Sequence, residues 1–463
     1  MNWRNKLLTP KRIALLTTAA LTFGTFPALV PHANAEGIKH LDQIRVALLI
    51  DSTKYRKVEP VVTLTASGGL DIAVRNSAGT AAKPWVSIPD ASIRLSIDQY
   101  SVIMLETIDY LAAKALNAKL AAMPEDSYVL SRVKQGRTVY QVYYGSFPSK
   151  EEAEGAAAQA LKDTTISTLT KSVPPVVKGP LHWSAGTYAD EAAASQQLLV
   201  FNQAGLDADI ALQEDAEGKL TYSVWVGNEA ATGQLEAVKQ AALRAAPNLA
   251  LQPVNTKSSY LIRRSDVTAS TNGSASVLHY AAAAGDQMTV IHPKSQEIAI
   301  KERANLSYRG DMEISTYHGR LALVNEVPME QYLYAVLGSE LSSSWPTEAL
   351  KAQAVAARTF AIKQGNKYEI AQVTDTTLDQ VYYGIQKEFA AGIQAVDATK
   401  DEVLSDKNGL ISPVFSSNSG GMTADPSEVW GNPLTYLRSV PSPDDGAEKG
   451  KAIWYRIQLT DDR

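Results

Sequence analysis

A pattern near residue 140 returns 82 residues later: Tyr140-x-Val142-x-x-Gly145 recurs as Tyr222-x-Val224-x-x-Gly227. Each copy is an alternating strand that ends at glycine and runs into a helix rich in Ala and Glu, Lys150 to Leu161 in the first copy and Thr232 to Leu243 in the second. Another helix precedes each strand, Val102 to Ala122 and Glu191 to Gln203. A period of 2 that gives way to a period of 3.6, twice over, predicts two βαββαβ units, residues 91–178 and 179–256. Such units place helices on one face of an antiparallel sheet, so the expected fold class is α+β and multidomain.

The regions on either side of the repeat read as β structure. Ile44 to Ile50, Val61 to Thr65 and Leu70 to Arg75 form a β-rich unit over 36–90, and Met288 to Ile291 and Ile298 to Ile300 form a second over 257–305. Pairing between these two regions would make the repeat an insertion. With 463 residues, 45% of them hydrophobic, the chain can bury several cores without disulfides, and it contains no cysteine to form one or to supply a thiolate.

Residues 1–35 read as an export signal: Arg4, Lys6, Lys11 and Arg12 precede an apolar run from Ile13 to Val30, and Ala33-Asn34-Ala35 offers a cleavage site. The expectation is a secreted, wall-associated protein with no membrane span after cleavage; a retained N-terminal anchor is the alternative. The formal charge of −5 becomes more negative once a signal with four basic and no acidic residues is removed. An acidic chain argues against nucleic acid as partner, and any attachment to anionic wall polymers would have to work through sugar contacts.

The segment from 306 to 463 carries the chemistry. A helix from Pro328 to Leu341 has its apolar stripe at Leu333, Val336 and Leu337, and the next position of that stripe is Glu340. A carboxylate on the buried face, in the last turn where the helix dipole is negative, should have its acid form favoured, as a general acid requires. The alternative is a glutamate that leans out into water at the helix end. Ser342-Ser343-Ser344-Trp345-Pro346 stops the helix and brings Trp345 toward the carboxylate. In the following helix, Thr347 to Gln364, Gln353 is an amide that needs partners, structural or sugar, and Arg358 is expected to pair with a carboxylate of the fold.

Two resemblances follow from these residues. Tyr140-Gln141-Val142-Tyr143-Tyr144-Gly145-Ser146-Phe147 followed by Ser149-Lys150-Glu151-Glu152-Ala153-Glu154 resembles the SPOR domain signature; the second copy matches less well, with Val224-Trp225-Val226-Gly227 but no Gly-Ser-Phe. SPOR domains bind glycan strands that lack stem peptides, so the resemblance makes Tyr143, Tyr144 and Phe147 candidate glycan contacts, although about half of the aromatics on such strands face the core. The order Val324-Asn325-x-Val327-Pro328, Ser339-Glu340-Leu341, Glu348 to Thr359, Thr374-Asp375-Thr376-Thr377, Gln380-Val381-Tyr382-x-Gly384, Ser416-Ser417-x-Ser419-Gly420-Gly421 and Val429-Trp430-Gly431 is similar to the SpoIID/LytB family.

That second resemblance implies a cleft with one essential glutamate, which maps to Glu340, and a lytic transglycosylase acting on denuded peptidoglycan glycan. It equally admits a non-catalytic enhancer of a cell-wall amidase. Gln380, Tyr382, Ser416, Ser417 and Tyr436 sit in family motifs expected to line the cleft, each with a structural role as the alternative. Some members carry His and Cys zinc ligands at positions matching Tyr368, Thr374 and Asp379, and no metal or other cofactor is expected in this chain, whose six histidines show no metal spacing. Ala452 to Leu459 reads as a strand where family members usually continue, which would leave the domain truncated.

Overall fold

The computed structural model describes residues 40–442 apart from 76–83, 90–91, 171–172, 275, 286–287 and 417–418. The expected export signal and the strand-like run 452–459 therefore lie outside the described residues. Two compact units are distinguished, one spanning Leu41–Val403 and the other comprising the stretch from Leu404. No helix among the described residues is long and apolar enough to cross a membrane.

The first unit opens with six strands: β1 (Gln43–Asp51), β2 (Arg56–Lys57), β3 (Val61–Thr65), β4 (Leu70–Arg75), β5 (Pro84–Ile88) and β6 (Ser92–Asp98). The repeat follows as β7 (Tyr100–Thr107), α1 (Tyr110–Leu120), β8 (Ser127–Lys134), β9 (Arg137–Phe147), α2 (Lys150–Ala160), α3 (Thr164–Leu169) and β10 (Val176–Tyr188). It continues with α4 (Glu191–Gln203), β11 (Ala208–Glu214), β12 (Leu220–Glu229), α5 (Thr232–Ala245) and β13 (Gln252–Pro253). Residues 102–107, expected to begin a helix, are strand. Val102 and Ile103 are β-branched and buried, and the helix starts only where Asp109 accepts hydrogen bonds from the Leu111 and Ala112 N–H groups.

One strand serves both copies. The first residues of β10 pair with β7 and its later residues with β12. β14 (Leu261–Asp266) then pairs with both β8 and β11, so that β14-β8-β9-β7-β10-β12-β11 is a hydrogen-bonded circuit of seven strands that returns to its start. Closure leaves these strands without an open edge at that junction. Between them lie buried charges: Arg132 bonds Asp209 through both guanidinium nitrogens at 2.6 and 2.9 Å, Arg264 reaches the same carboxylate at 3.0 Å, and Lys178 pairs with Glu229 at 2.9 Å.

The two β-rich regions pair with each other. β15 (Val277–Ala283) runs parallel to β6, β16 (Met288–Pro293) antiparallel to β4, and β17 (Ile298–Ile300) antiparallel to β3. The repeat is thus inserted between strands that share sheets. After β18 (Leu306–Tyr308), the hairpin of β19 (Asp311–Tyr317) and β20 (Arg320–Pro328) completes the order β2-β1-β20-β19-β16-β4-β5. β1 lies inside this sheet, with Ile44, Val46, Ala47, Leu48, Leu49 and Ile50 all fully buried. A short β21 (Val373–Thr374) runs parallel along its other edge.

Three helices pack beside this sheet: α6 (Met329–Glu340), α7 (Thr347–Lys363) and α8 (Ala390–Ala398). Leu333, Val336 and Leu337 on α6 meet Leu350, Ala354, Ala357 and Ala361 on α7 in one core cluster, all fully buried, and the alanines permit close approach. Arg358, 1% exposed, ties the three helices together: it bonds both Glu330 oxygens, at 2.5 and 3.0 Å, and the carbonyls of Val396 and Glu402. This is the internal ion pair expected of Arg358. Because its loss would strand the Glu330 carboxylate and two carbonyls, Arg358→Met should lower stability by about 3 kcal/mol, read as the shift in urea unfolding midpoint.

Candidate functional site

Glu340 is the last residue of α6, and its side chain is partly buried rather than extended into water. Its Oε1 accepts a hydrogen bond of 3.1 Å from the Val381 N–H. Burial raises the carboxyl above its ordinary value, and the Val381 bond offsets this in part. One residue earlier, the Ser339 hydroxyl donates to the Ala335 carbonyl at 2.8 Å and accepts from the Tyr383 N–H at 3.4 Å. The end of the helix is therefore met by a crossing segment of backbone, residues 380–383.

That segment alternates. Gln380 and Tyr382 point inward and are 1% exposed, whereas Val381 is partly buried and Tyr383 is exposed. The inward pair is fully engaged: the Tyr332 hydroxyl donates to Gln380 Oε1 at 2.8 Å, Gln380 Nε2 donates to the Ala357 carbonyl at 3.3 Å, and the Tyr382 hydroxyl donates to Asn325 Oδ1 at 2.8 Å. Asn325 in turn donates to the carbonyls of Arg309 and Asp311. Gln380 and Tyr382 were expected to offer their side chains to sugar; the structure instead makes them the buried struts that hold the 381 and 383 N–H groups against the helix end.

Backbone geometry brings the segment this close. At Gly338 a Cβ would lie 1.8 Å from the Lys387 carbonyl oxygen, in the 3-10 turn Gly384–Lys387, so only glycine fits between helix and turn. Gly384 has φ +68°, and a Cβ there would lie 2.1 Å from the Ser307 carbonyl oxygen. A glycine inside an apolar helical stripe is a legible sign of close approach, and Gly338 was readable in that way.

Gln353, on α7, is half-buried, and its Nε2 is shielded from solvent without a hydrogen-bond partner among the described residues. It is the expected site amide with capacity to spare. Trp345 is 51% exposed and its N–H closes a turn on the Ser342 carbonyl.

The positions matching the family's zinc ligands do meet. Asp379 Oδ2 accepts from the Tyr368 hydroxyl at 2.8 Å, the Thr374 N–H at 2.8 Å and the Thr374 hydroxyl at 2.9 Å, and its other oxygen pairs with the Lys367 ammonium. A phenol, an alcohol and one carboxylate already facing a lysine do not form a zinc donor set, and these residues do not fit that metal. Among the described residues no group of three or more His, Cys, Asp or Glu is placed to hold a metal ion.

Tyr143, Tyr144 and Phe147 are 1, 2 and 2% exposed, which corrects their expected role as surface glycan contacts. Closure of the seven-strand circuit covers the sheet face: Tyr143 stacks on Tyr128 at 5.3 Å between ring centres and accepts from Asn228 Nδ2 at 3.3 Å. Tyr144 and Phe147 pack instead in the core beneath α1 and α2, with the Arg320 guanidinium 5.3 Å from the Phe147 ring centre.

In the second unit, β22 (Ser405–Asp406) and β23 (Gly409–Leu410) form a hairpin, and α9 (Pro426–Trp430) begins at the Asp425 cap. Ser416 is exposed and lines a cavity of about 950 Å³ with Phe415, Met422, Val429 and Trp430. Ser417 lies outside the described residues. Tyr436 is half-buried, and its hydroxyl accepts from the Ser412 N–H at 3.2 Å, which gives it a backbone-holding role. Gly420 and Gly421, at φ +72° and +98°, turn the chain so that Met422 bridges to Pro441.

The raised Glu340 value has a consequence for stability. Between its unfolded and folded values the folded chain binds more protons than the unfolded one, so stability falls as pH rises through that window. Glu340→Gln removes the ionisation and keeps an oxygen for the Val381 N–H. Its melting temperature should exceed the wild-type value by about 1–2 °C at pH 8 and match it at pH 4, as followed by circular dichroism.

Two segments of the chain match known families. The SpoIID model, Stage II sporulation protein, matches residues 317–405, and the SPOR domain model matches residues 110–167, within the first copy of the repeat. An uncharacterized protein of Brachyspira hyodysenteriae is 40% identical over 139 residues, 29% of this chain and 38% of that one. Stage II sporulation protein D of Bacillus subtilis is 32% identical over 151 residues, 29% of this chain and 44% of the relative. The amidase enhancer of Bacillus subtilis is 43% identical over 105 residues, 23% of this chain and 14% of the relative. The chain spans less than half the length of each of these relatives. The SpoIID match covers β20, α6, α7 and the Glu340 site, so the chain carries a SpoIID-family domain similar to that of Stage II sporulation protein D and the amidase enhancer, together with a SPOR domain.

Proposed function

We propose that the chain is a lytic transglycosylase of peptidoglycan, cleaving denuded glycan strands during cell-wall remodelling or sporulation, with Glu340 as its acid and base. The observation that carries this reading is a partly buried carboxyl at a helix end, with burial favouring its proton, inside residues 317–405, which match the SpoIID model. In the first half of the reaction the Glu340 carboxyl gives its proton to the glycosidic oxygen as the bond from muramic acid C1 breaks. The muramic acid 6-hydroxyl then closes on C1 and returns its proton to the Glu340 carboxylate. One carboxyl suffices, no water is consumed, and the product carries a 1,6-anhydro end. Gln353, whose Nε2 has no hydrogen-bond partner among the described residues, is the candidate sugar contact on α7.

We read the two copies of the repeat as βαββαβ modules of SPOR type, and the chain as exported to the wall. Glycan strands as partner then rest on the SPOR match rather than on Tyr143, Tyr144 or Phe147. A second reading has a specific observation behind it, the 43% identity to an amidase enhancer: the same site would recruit or stimulate a wall amidase without chemistry of its own.

Mass spectrometry of denuded glycan incubated with the protein separates the two. The wild type should release anhydromuramic ends, and Glu340→Gln should reduce them by at least about 100-fold, the scale of a lost general acid. Release of none by the wild type, with amidase stimulation that survives Glu340→Gln, would favour the second reading.

A further inference from the structure

The backbone from Thr374 to Tyr383 contains no helix and no strand beyond its first residue, yet it must deliver the Val381 N–H to Glu340 within hydrogen-bond distance. In such a segment the position of a backbone donor is set by side chains. Two carboxylates do this here, both from the Asp375 to Asp379 stretch. Asp375, fully buried, pairs with Arg303 and accepts from the Tyr55 hydroxyl at 3.2 Å, which joins the segment to the N-terminal β region. Its own carbonyl accepts from the Tyr382 N–H at 3.3 Å, so the anchor bears directly on the residue after Val381.

Asp379 gathers a second set. Three donors converge on Oδ2, the Tyr368 hydroxyl and both the N–H and hydroxyl of Thr374, and Lys367 sits on Oδ1. The Asp379 N–H in turn donates to the Thr376 carbonyl at 3.0 Å. Charge-assisted bonds of this kind are short and directional, and four of them over-determine a loop of this length. Thr374 is itself fixed, as part of β21 alongside Ala47 of β1. The chain from the sheet to the helix end is therefore continuous: β1 holds Thr374, Thr374 and Tyr368 hold Asp379, and Asp379 is two residues from Val381.

We propose that Asp379, assisted by Asp375, is a positioning residue for Glu340: the carboxylate, by its ion pair with the Lys367 ammonium and its hydrogen bonds, fixes the loop that aims the Val381 N–H at the Glu340 carboxylate. The proposal concerns where the Glu340 partner sits and holds whether or not Glu340 transfers a proton, so it fails separately from the reaction proposed above.

The test follows the Val381 amide in the full chain with selective 15N-valine labelling. In the wild type its shift should titrate with Glu340, an effect absent in Glu340→Gln, and its exchange with solvent should be slow. Asp379→Ala should remove that titration and accelerate exchange at least tenfold, with melting of the remaining helices unchanged. If Asp379→Ala does not fold, Tyr368→Phe combined with Lys367→Met leaves the carboxylate in place and should accelerate exchange two- to fivefold. An unchanged Val381 titration and exchange rate in whichever variant folds would overturn the proposal, as would a tenfold or greater change in either on adding zinc to the wild type.

Discussion

The surroundings of Glu340 depend on a set of buried polar contacts directly beneath it. Tyr332 to Gln380 and Tyr382 to Asn325 are made between elements far apart in sequence, and none of these four side chains has water to fall back on. Leaving one such group unpaired costs about 1–3 kcal/mol, so the four specify a single arrangement more sharply than apolar packing would. With the inward side chains fixed, alternation along the segment leaves the backbone N–H groups of 381 and 383 facing the end of α6. The site is held from below.

Much of this was legible in the sequence, and the reasons differ by residue. The register Leu333, Val336, Leu337 placed Glu340 on a shielded face because a helix repeats its own geometry locally. Arg358 was assigned to an internal ion pair because a guanidinium in an alanine-rich stripe has few other options. Gln380 and Tyr382 were misread because a motif names residue types and leaves orientation open; with one residue of phase shift the same letters would face outward. Asp379 was noticed as a position where a ligand is replaced, but its partners Lys367 and Tyr368 come from a turn whose approach only the fold defines.

Tyr144 and Phe147 lie on the face that α1 and α2 cover within one module, whereas the burial of Tyr143 has a different cause. Alternation correctly gave a strand with two faces, and a single module of this kind would leave one face open. Two copies sharing β10 and sealed by β14 leave none, and that closure is a property of pairings distant in sequence, such as Leu212 with Leu261 and Asp266 with Leu130. The charges enclosed by the circuit, Arg132, Lys178 and Arg264 against Asp207, Asp209 and Glu229, are the second expression of the same event: groups that would be solvated on a lone sheet must satisfy one another inside.

The antiparallel pairing of β1 with β20 joins Gln43 to Pro328 across most of the first unit. Contacts of such sequence separation form late, because the intervening chain must lose much of its freedom before they are rewarded. The inserted repeat, which closes largely on its own neighbours, has the shorter path to order. Folding should then proceed from the middle outward, with the strand that supports α6 completed last, and the helix end carrying Glu340 would become ordered only when the two ends of this unit have met.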